Sequence, residues 1–201
     1  VFPELSLVGY PPLDHIEKEH FVNQNLKALK QLAPSIQGIS ALIGYVDKNT
    51  SSSGKPYFNA AAFIVNGKIV SRHFKSLLPS YDVFDETRHF EPASKVKSAV
   101  LNKDNIAISI CEDIWNDKDF WQRRLYSKDP VTLLLKNRTS CLINISASPF
   151  SIEKQKIRQE MIRAISKKYG VPTIFVNQVG SNDGLIFDGA SFALDKRGCY
   201  V

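Results

Sequence analysis

Three short runs constrain this chain more than any other feature. "NIAISI" (105–110), "CLINIS" (141–146) and "PTIFVN" (172–177) are apolar and rich in β-branched residues. A strand with one wet face alternates polar and apolar residues, so runs that do not alternate read as strands buried on both faces. Such strands need covering layers. Between the second and third run lies the clearest helical stretch, with Ile157, Met161, Ala164 and Ile165 on one face and Ser151 as its expected N-cap. Elsewhere, "NAAAFIV" and "KIVSRHF" flank Asn66-Gly67, a dipeptide that favours the type I′ turn of a β-hairpin. "ALIGYV" reads as a further strand, and "LIFDGASFAL" as a closing hairpin-like unit. Leu13 to Leu32 reads as a helix with Ile16, Phe21, Leu26 and Leu29 inward, ended by Pro34. "KNTSSSGKPY" (48–57) reads as a surface connection. Buried strands alternating with helices, plus hairpins, predict a layered α/β protein with mixed sheets.

The chain has 201 residues, of which 43% are hydrophobic, enough for one domain with a substantial core. No internal boundary is visible, so residues 1–201 read as one domain. It opens on "VFPEL", which reads as the tail of a buried strand, so the chain is expected to be a fragment. The formal charge is +6. The basic residues of "SIEKQKIRQEMIRAISKKYG" alternate with Glu, as on a solvated face, and carry no interleaved aromatics, which disfavours a nucleic-acid surface. No apolar run reaches the length of a membrane span. The cysteines are Cys111, Cys141 and Cys199. An odd number without C-x-x-C spacing or a nearby His suits neither a disulfide framework nor a zinc site, and fits a reducing cytoplasm. No glycine-rich phosphate loop occurs.

Three strand-end residues carry chemistry. Cys111 follows a buried strand in "AISICEDIW" and leads into Glu112 and Asp113. A core cysteine would serve as well, but a sharp strand-to-turn position projects a nucleophile and frees backbone N–H groups for an oxyanion. A thiol needs a base at neutral pH. None of His15, His20, His73 and His89 has a supporting context, although His73 and His89 flank "FKSLLPSYDVFDE". A carboxylate can replace histidine if it is buried and held by a lysine. Glu4, in "VFPEL", and Lys75, which follows "KIVSRHF", are charges at the ends of apolar runs. Each alone reads more readily as a strand-end charge reaching solvent.

Taken in order, "FPEL…GYPP", "K-x-L-L-P-x-Y-x-V-F-D-E" and "CEDIW" resemble the carbon–nitrogen hydrolase (nitrilase) superfamily, with the nearest likeness to the glutaminase domains of glutamine-dependent NAD+ synthetases. The likeness runs on through "NISASPF" and "NQVGSNDGLIFDGASF". It implies a four-layer αββα sandwich, incomplete here at both ends. It implies Glu4 as general base, Lys75 as oxyanion stabiliser and Cys111 as the nucleophile that forms a thioester. Glu86 would orient them. Tyr81, Phe84, Glu112, Ser148 and Lys154 match positions that contact glutamine, although arginine is expected where Lys154 stands. The glutaminase reaction would need no cofactor and no metal. ATP and Mg2+ would serve a separate synthetase domain, and the full-length protein would be a homo-oligomer. A free-standing amidase of the same superfamily, or an inactive copy kept as an interaction module, are the alternatives.

Overall fold

The computed structural model describes residues 1–136 and 138–201. Ten strands and four α-helices are described. Helix α1 spans Glu19–Leu32 and is preceded by a 3-10 turn at Leu13–Glu17. The expected single helix from Leu13 is therefore broken at Lys18, whose backbone is extended. The α-helix ends at Leu32, two residues before Pro34, and passes into a 3-10 turn over Ala33–Ser35. The inward face of α1 also differs from the expected one. Val22, Asn25 and Leu29 are buried while Phe21 is only half-buried. Asn25 can turn inward because its amide donates to Val46 O at 2.6 Å.

Strands β1 (Ser40–Lys48), β2 (Tyr57–Val65) and β3 (Lys68–Phe74) form an antiparallel sheet in that order. The β2–β3 turn has Asn66 at φ 45° and Gly67 at φ 77°. Both values are positive, as a type I′ turn requires. After the short helix α2 (Glu86–His89) come β4 (Ala99–Leu101), β5 (Asp104–Ile110), α3 (Pro130–Leu134), β6 (Cys141–Ser146), α4 (Lys154–Tyr169), β7 (Thr173–Asn177), β8 (Val179–Asn182), β9 (Leu185–Asp188) and β10 (Phe192–Leu194). The second sheet runs β10-β7-β6-β5-β4. Its centre is the three apolar runs, and β5–β6 and β6–β7 pair in parallel. "LIFDGASFAL" is not one hairpin: β9 pairs with β8, whereas β10 pairs with β7 in the large sheet.

Side chains alternate across both sheets, and the two periods separate three apolar layers. Leu42, Ala61 and Phe63 of the small sheet meet Ile108, Ile110, Ile143 and Ile145 of the large one. Ala41, Ile43, Tyr45, Ala60 and Ile64 point the other way, onto Leu29 and Ala33. Ala107, Leu142 and Phe175 meet Val131 and Leu134 of α3 and Met161, Ile162 and Ile165 of α4. The result is the four-layer αββα sandwich. Burying each of the large α4 side chains contributes on the order of 1.5–3 kcal/mol. The buried face of α4 is centred elsewhere than expected, since Ala164 is exposed and Arg158, Ile162 and Ser166 are buried. Nor is Ser151 its N-cap. Glu153 holds that place in the left-handed region, and Ser151 contributes only its carbonyl, to Lys154 N.

Candidate active site

"VFPEL" is not the end of a strand. Residues 1–3 have no regular structure and residues 4–8 form turns. Phe2 N and Leu7 N donate to Leu42 O and Gly44 O, so the segment is clipped at two points to β1 and arches over its middle. Gly44 makes the arch possible. A Cβ there would lie 2.3 Å from Pro3 O and 2.4 Å from Leu5 N. Glu4 at the crest is fully buried. Its carboxylate accepts from Lys75 Nζ and Asn59 Nδ2, both at 2.7 Å, and from Ala147 N at 2.9 Å.

Lys75 is the first residue after β3, and its N–H donates to Asn59 O. Its ammonium is fully buried between Glu4 and Glu86 Oε1, the latter at 2.6 Å. Burial pulls its pKa down, but the charges of Glu4 and Glu86 outweigh burial and hold it well above the usual lysine range. Glu86 also accepts from Tyr10 Oη at 2.9 Å and Asn59 Nδ2 at 3.3 Å. Burial, with the nearby charge of Glu4, pushes Glu86 up to about 7 against the pull of Lys75.

Cys111 stands where β5 ends and a 3-10 turn over Cys111–Ile114 begins. Its φ is 43°, a left-handed backbone that a side chain makes costly, of order 1–3 kcal/mol. The turn is supported from behind. Asn144 of β6 donates to Ser109 Oγ and Cys111 O, and accepts from Ser146 Oγ. Burial, then the charge of Glu4, raises the thiol well above its ordinary pKa, while Lys75 acts to lower it. Burial thus favours the neutral thiol, on which the charges of Glu4 and Lys75 act in opposite directions. Cys141 opens β6 and is half-buried, and Cys199 is exposed.

Tyr81, Phe84, Cys111, Glu112, Trp115, Ser148 and Lys154 line one small pocket. Glu112 is buried, accepts from Tyr81 Oη at 2.9 and 3.0 Å, and from Tyr126 Oη at 3.2 Å. Burial raises its pKa, partly offset by Lys75 and the two tyrosines. Lys154 Nζ lies 5.8 Å from the ring centroids of both Phe84 and Trp115 and makes no ion pair among the described residues. Ser148 N donates to Asn177 Oδ1, and its carbonyl accepts from buried Arg158.

Sequence reading missed Tyr10, Asn59, Trp115, Tyr126 and Asn144. Asn144 could have been found, since a polar residue inside "CLINIS" has to find a partner when buried. Nothing local marks Tyr126, which reaches Glu112 because Asn116 Nδ2 holds the carbonyls of Tyr126 and Lys128. The flanking histidines lie elsewhere. His73 bonds Ser71 Oγ and Lys97 O, and burial lowers it to about 4. His89 sits by Asp14 and Glu17, which Arg88 also pairs.

The sequence matches the carbon-nitrogen hydrolase family over residues 1–201. The chain belongs to that family. It is 40% identical over 200 residues to a glutamine-dependent NAD(+) synthetase from Synechocystis sp., a match that covers 98% of this chain and 36% of the relative. A solved structure of the glutamine-dependent NAD+ synthetase from Acinetobacter baumannii in complex with ADP superposes with a TM-score of 0.85 at 28% identity, over 99% of this chain and 35% of that one. An amidase from Nesterenkonia sp. shares the fold, with a TM-score of 0.76 at 18% identity over 98% of this chain and 69% of that one. The chain thus spans about a third of the length of the synthetases it matches. No helix among the described residues is long and apolar enough to cross a membrane.

Proposed function

We propose that this domain hydrolyses the side-chain amide of glutamine and supplies the ammonia to a synthetase domain that amidates deamido-NAD. The observation that carries the reading is a single pocket that holds a strained cysteine, a carboxylate and an ammonium without an ion pair among the described residues, while the charges of a buried Glu–Lys–Glu cluster act on the cysteine thiol. A free amino acid needs an anion for its ammonium group and donors for its carboxylate. Glu112, held by two tyrosine hydroxyls, suits the first. Lys154 and the Ser148 hydroxyl suit the second. Tyr81 and Phe84 wall the aliphatic stem between them.

The chemistry follows from the charges. Glu4 takes the Cys111 proton as sulfur attacks the amide carbon, so the high thiol pKa is met only during the attack. The carbonyl oxygen becomes an oxyanion, stabilised by Lys75 and by the Glu112 N–H, one of the first N–H groups of the 3-10 turn, which lack partners within it. The C–N bond breaks, Glu4 returns its proton to the leaving nitrogen, and ammonia departs from a thioester. Glu4 then takes a proton from water. The hydroxide adds to the thioester carbon, and the proton goes back to sulfur as glutamate leaves. Glu86 keeps Lys75 aimed at the site.

ATP would be spent in the synthetase domain with Mg2+ as its cofactor, and the full-length protein would work as a homo-oligomer in the cytoplasm. The three free cysteines suit a reducing compartment. Treatment of the full-length gene product with the glutamine analogue diazo-oxo-norleucine tests the reading. Mass spectrometry should find the adduct on Cys111, with loss of glutamate production. An adduct on Cys141 or Cys199 instead, with Cys111 free, sinks it. Hydrolysis of simple aliphatic amides in preference to glutamine would point to a free-standing amidase.

A further inference from the structure

Glu4, Lys75 and Cys111 come from three separate pieces of chain, and the two that must share an oxyanion lie on different sheets. Lys75 follows β3 of the small sheet, and Cys111 follows β5 of the large one. No strand pairing joins the two sheets among the described residues. The ladders therefore do not fix the ammonium relative to the sulfur. Apolar contact across the sandwich is non-directional and leaves room for small slides. Something polar and directional has to set the reach.

Asp113 spans that gap. It is buried, and its carboxylate accepts three backbone N–H groups. Oδ1 takes Ser76 N at 2.9 Å and Leu77 N at 2.8 Å, the two peptides that follow Lys75. Oδ2 takes Ile110 N at 3.2 Å, in the residue just before Cys111. We propose that Asp113 is a positioning residue, which locks the segment after Lys75 to the turn bearing Cys111 and so sets the distance between ammonium and sulfur. It is not among the residues that line the pocket. Burial pushes its carboxyl up to about 7, against the pull of those same three N–H groups and of Lys75. A buried carboxylate held at that cost is more than a fold alone needs, since an apolar residue could fill the space.

The proposal rests on the amidohydrolase reading above. Its test compares the wild-type full-length gene product with Asp113→Asn and Asp113→Glu. Asparagine can still accept from Ser76 and Leu77, but its amide nitrogen then meets the Ile110 N–H, donor against donor. Glutamate keeps the charge on a longer stem. Diazo-oxo-norleucine labelling, run to completion, counts the sites able to react at Cys111. Glutamate production then gives kcat per labelled site, so misfolded protein drops out of the comparison. In Asp113→Asn, kcat per site should fall on the order of 10²-fold, the cost of a displacement of about 1 Å at reacting groups. KM should stay within about threefold, because the pocket wall is untouched. Asp113→Glu should not restore the rate, and it remains the test if Asp113→Asn yields no folded protein. A kcat per site within about twofold of wild type in either recovered variant, or a loss confined to KM, overturns the proposal. A wild-type protein that neither labels at Cys111 nor releases glutamate overturns the parent reading, a result plainly separate from any difference between variants.

Discussion

The charged centre and the pocket wall are built on opposite principles. In the centre, Glu4, Lys75 and Glu86 are closed off from water, and every carboxylate oxygen pair is tied by two or more donors. In the wall, Tyr81 is 42% exposed and Lys154 has no ionic partner among the described residues. The centre has nothing left to offer a ligand except the face turned to Cys111. The wall holds an anion, Glu112, bonded only by two tyrosine hydroxyls, and an ammonium, Lys154, that rests against rings. A proton relay gains from fixed geometry, because reorganisation during the reaction is costly. A recognition surface gains from groups that find their partner only when substrate arrives.

Substitutions should separate the two regions by which kinetic constant they move. The largest effect is expected at Lys75. Replacement by alanine leaves two buried carboxylates without their cation, which costs about 3–5 kcal/mol of stability, and under the proposed function it also removes the oxyanion contact. Lys75→Arg keeps the charge, yet a planar fork does not fit a site closed around a compact ammonium. Its kcat should fall on the order of 10²-fold or more. Near-normal glutamate production by Lys75→Arg would break the distinction, since the centre would then tolerate a change of shape.

Gly44→Ala comes next. The new methyl group has to push back the Pro3–Leu5 backbone, and Glu4 moves with it. Loss of more than about tenfold in kcat with little change in KM is expected from a shifted base. Unchanged kinetics would mean that the arch over β1 yields without moving the carboxylate.

At the wall the pattern should invert. Under the proposed function Glu112 meets the substrate ammonium, so Glu112→Gln should raise KM for glutamine by about tenfold or more, with kcat changed less. A pure kcat effect would move Glu112 from recognition into the chemistry.

The smallest expected effect is a change in the pH dependence of stability. Glu86 has a folded pKa raised to about 7 by burial. A carboxyl whose pKa is higher folded than unfolded binds extra protons in the folded state, so stability falls as pH rises from about 4 to about 7. Glu86→Gln should flatten this slope. Thermal unfolding at about pH 5 and about pH 8 should show the wild type losing a few degrees more than the variant across the interval. Equal losses would mean that Lys75 keeps Glu86 ionised throughout.

The sequence by itself determined the central strands, the Asn66-Gly67 hairpin and the residue types able to carry the chemistry. Each of these is local. A β-branched run, a turn that needs positive φ and a charge at the end of an apolar run are physical constraints within a few residues. Local spacing went astray where tertiary contacts overrode it. Ala164 faces solvent because Ile162 and Arg158 fill the groove against the large sheet, and "LIFDGASFAL" splits because β10 finds its partner in β7. Only the tertiary structure decided which charges meet. Glu4 reaches Lys75 across 71 residues because Gly44 lets one backbone cross another, and Tyr126 reaches Glu112 because a buried asparagine holds its loop. Asp113 links the segment after β3 to the end of β5 through backbone N–H groups, which every residue but proline carries and which therefore leave no mark in the sequence.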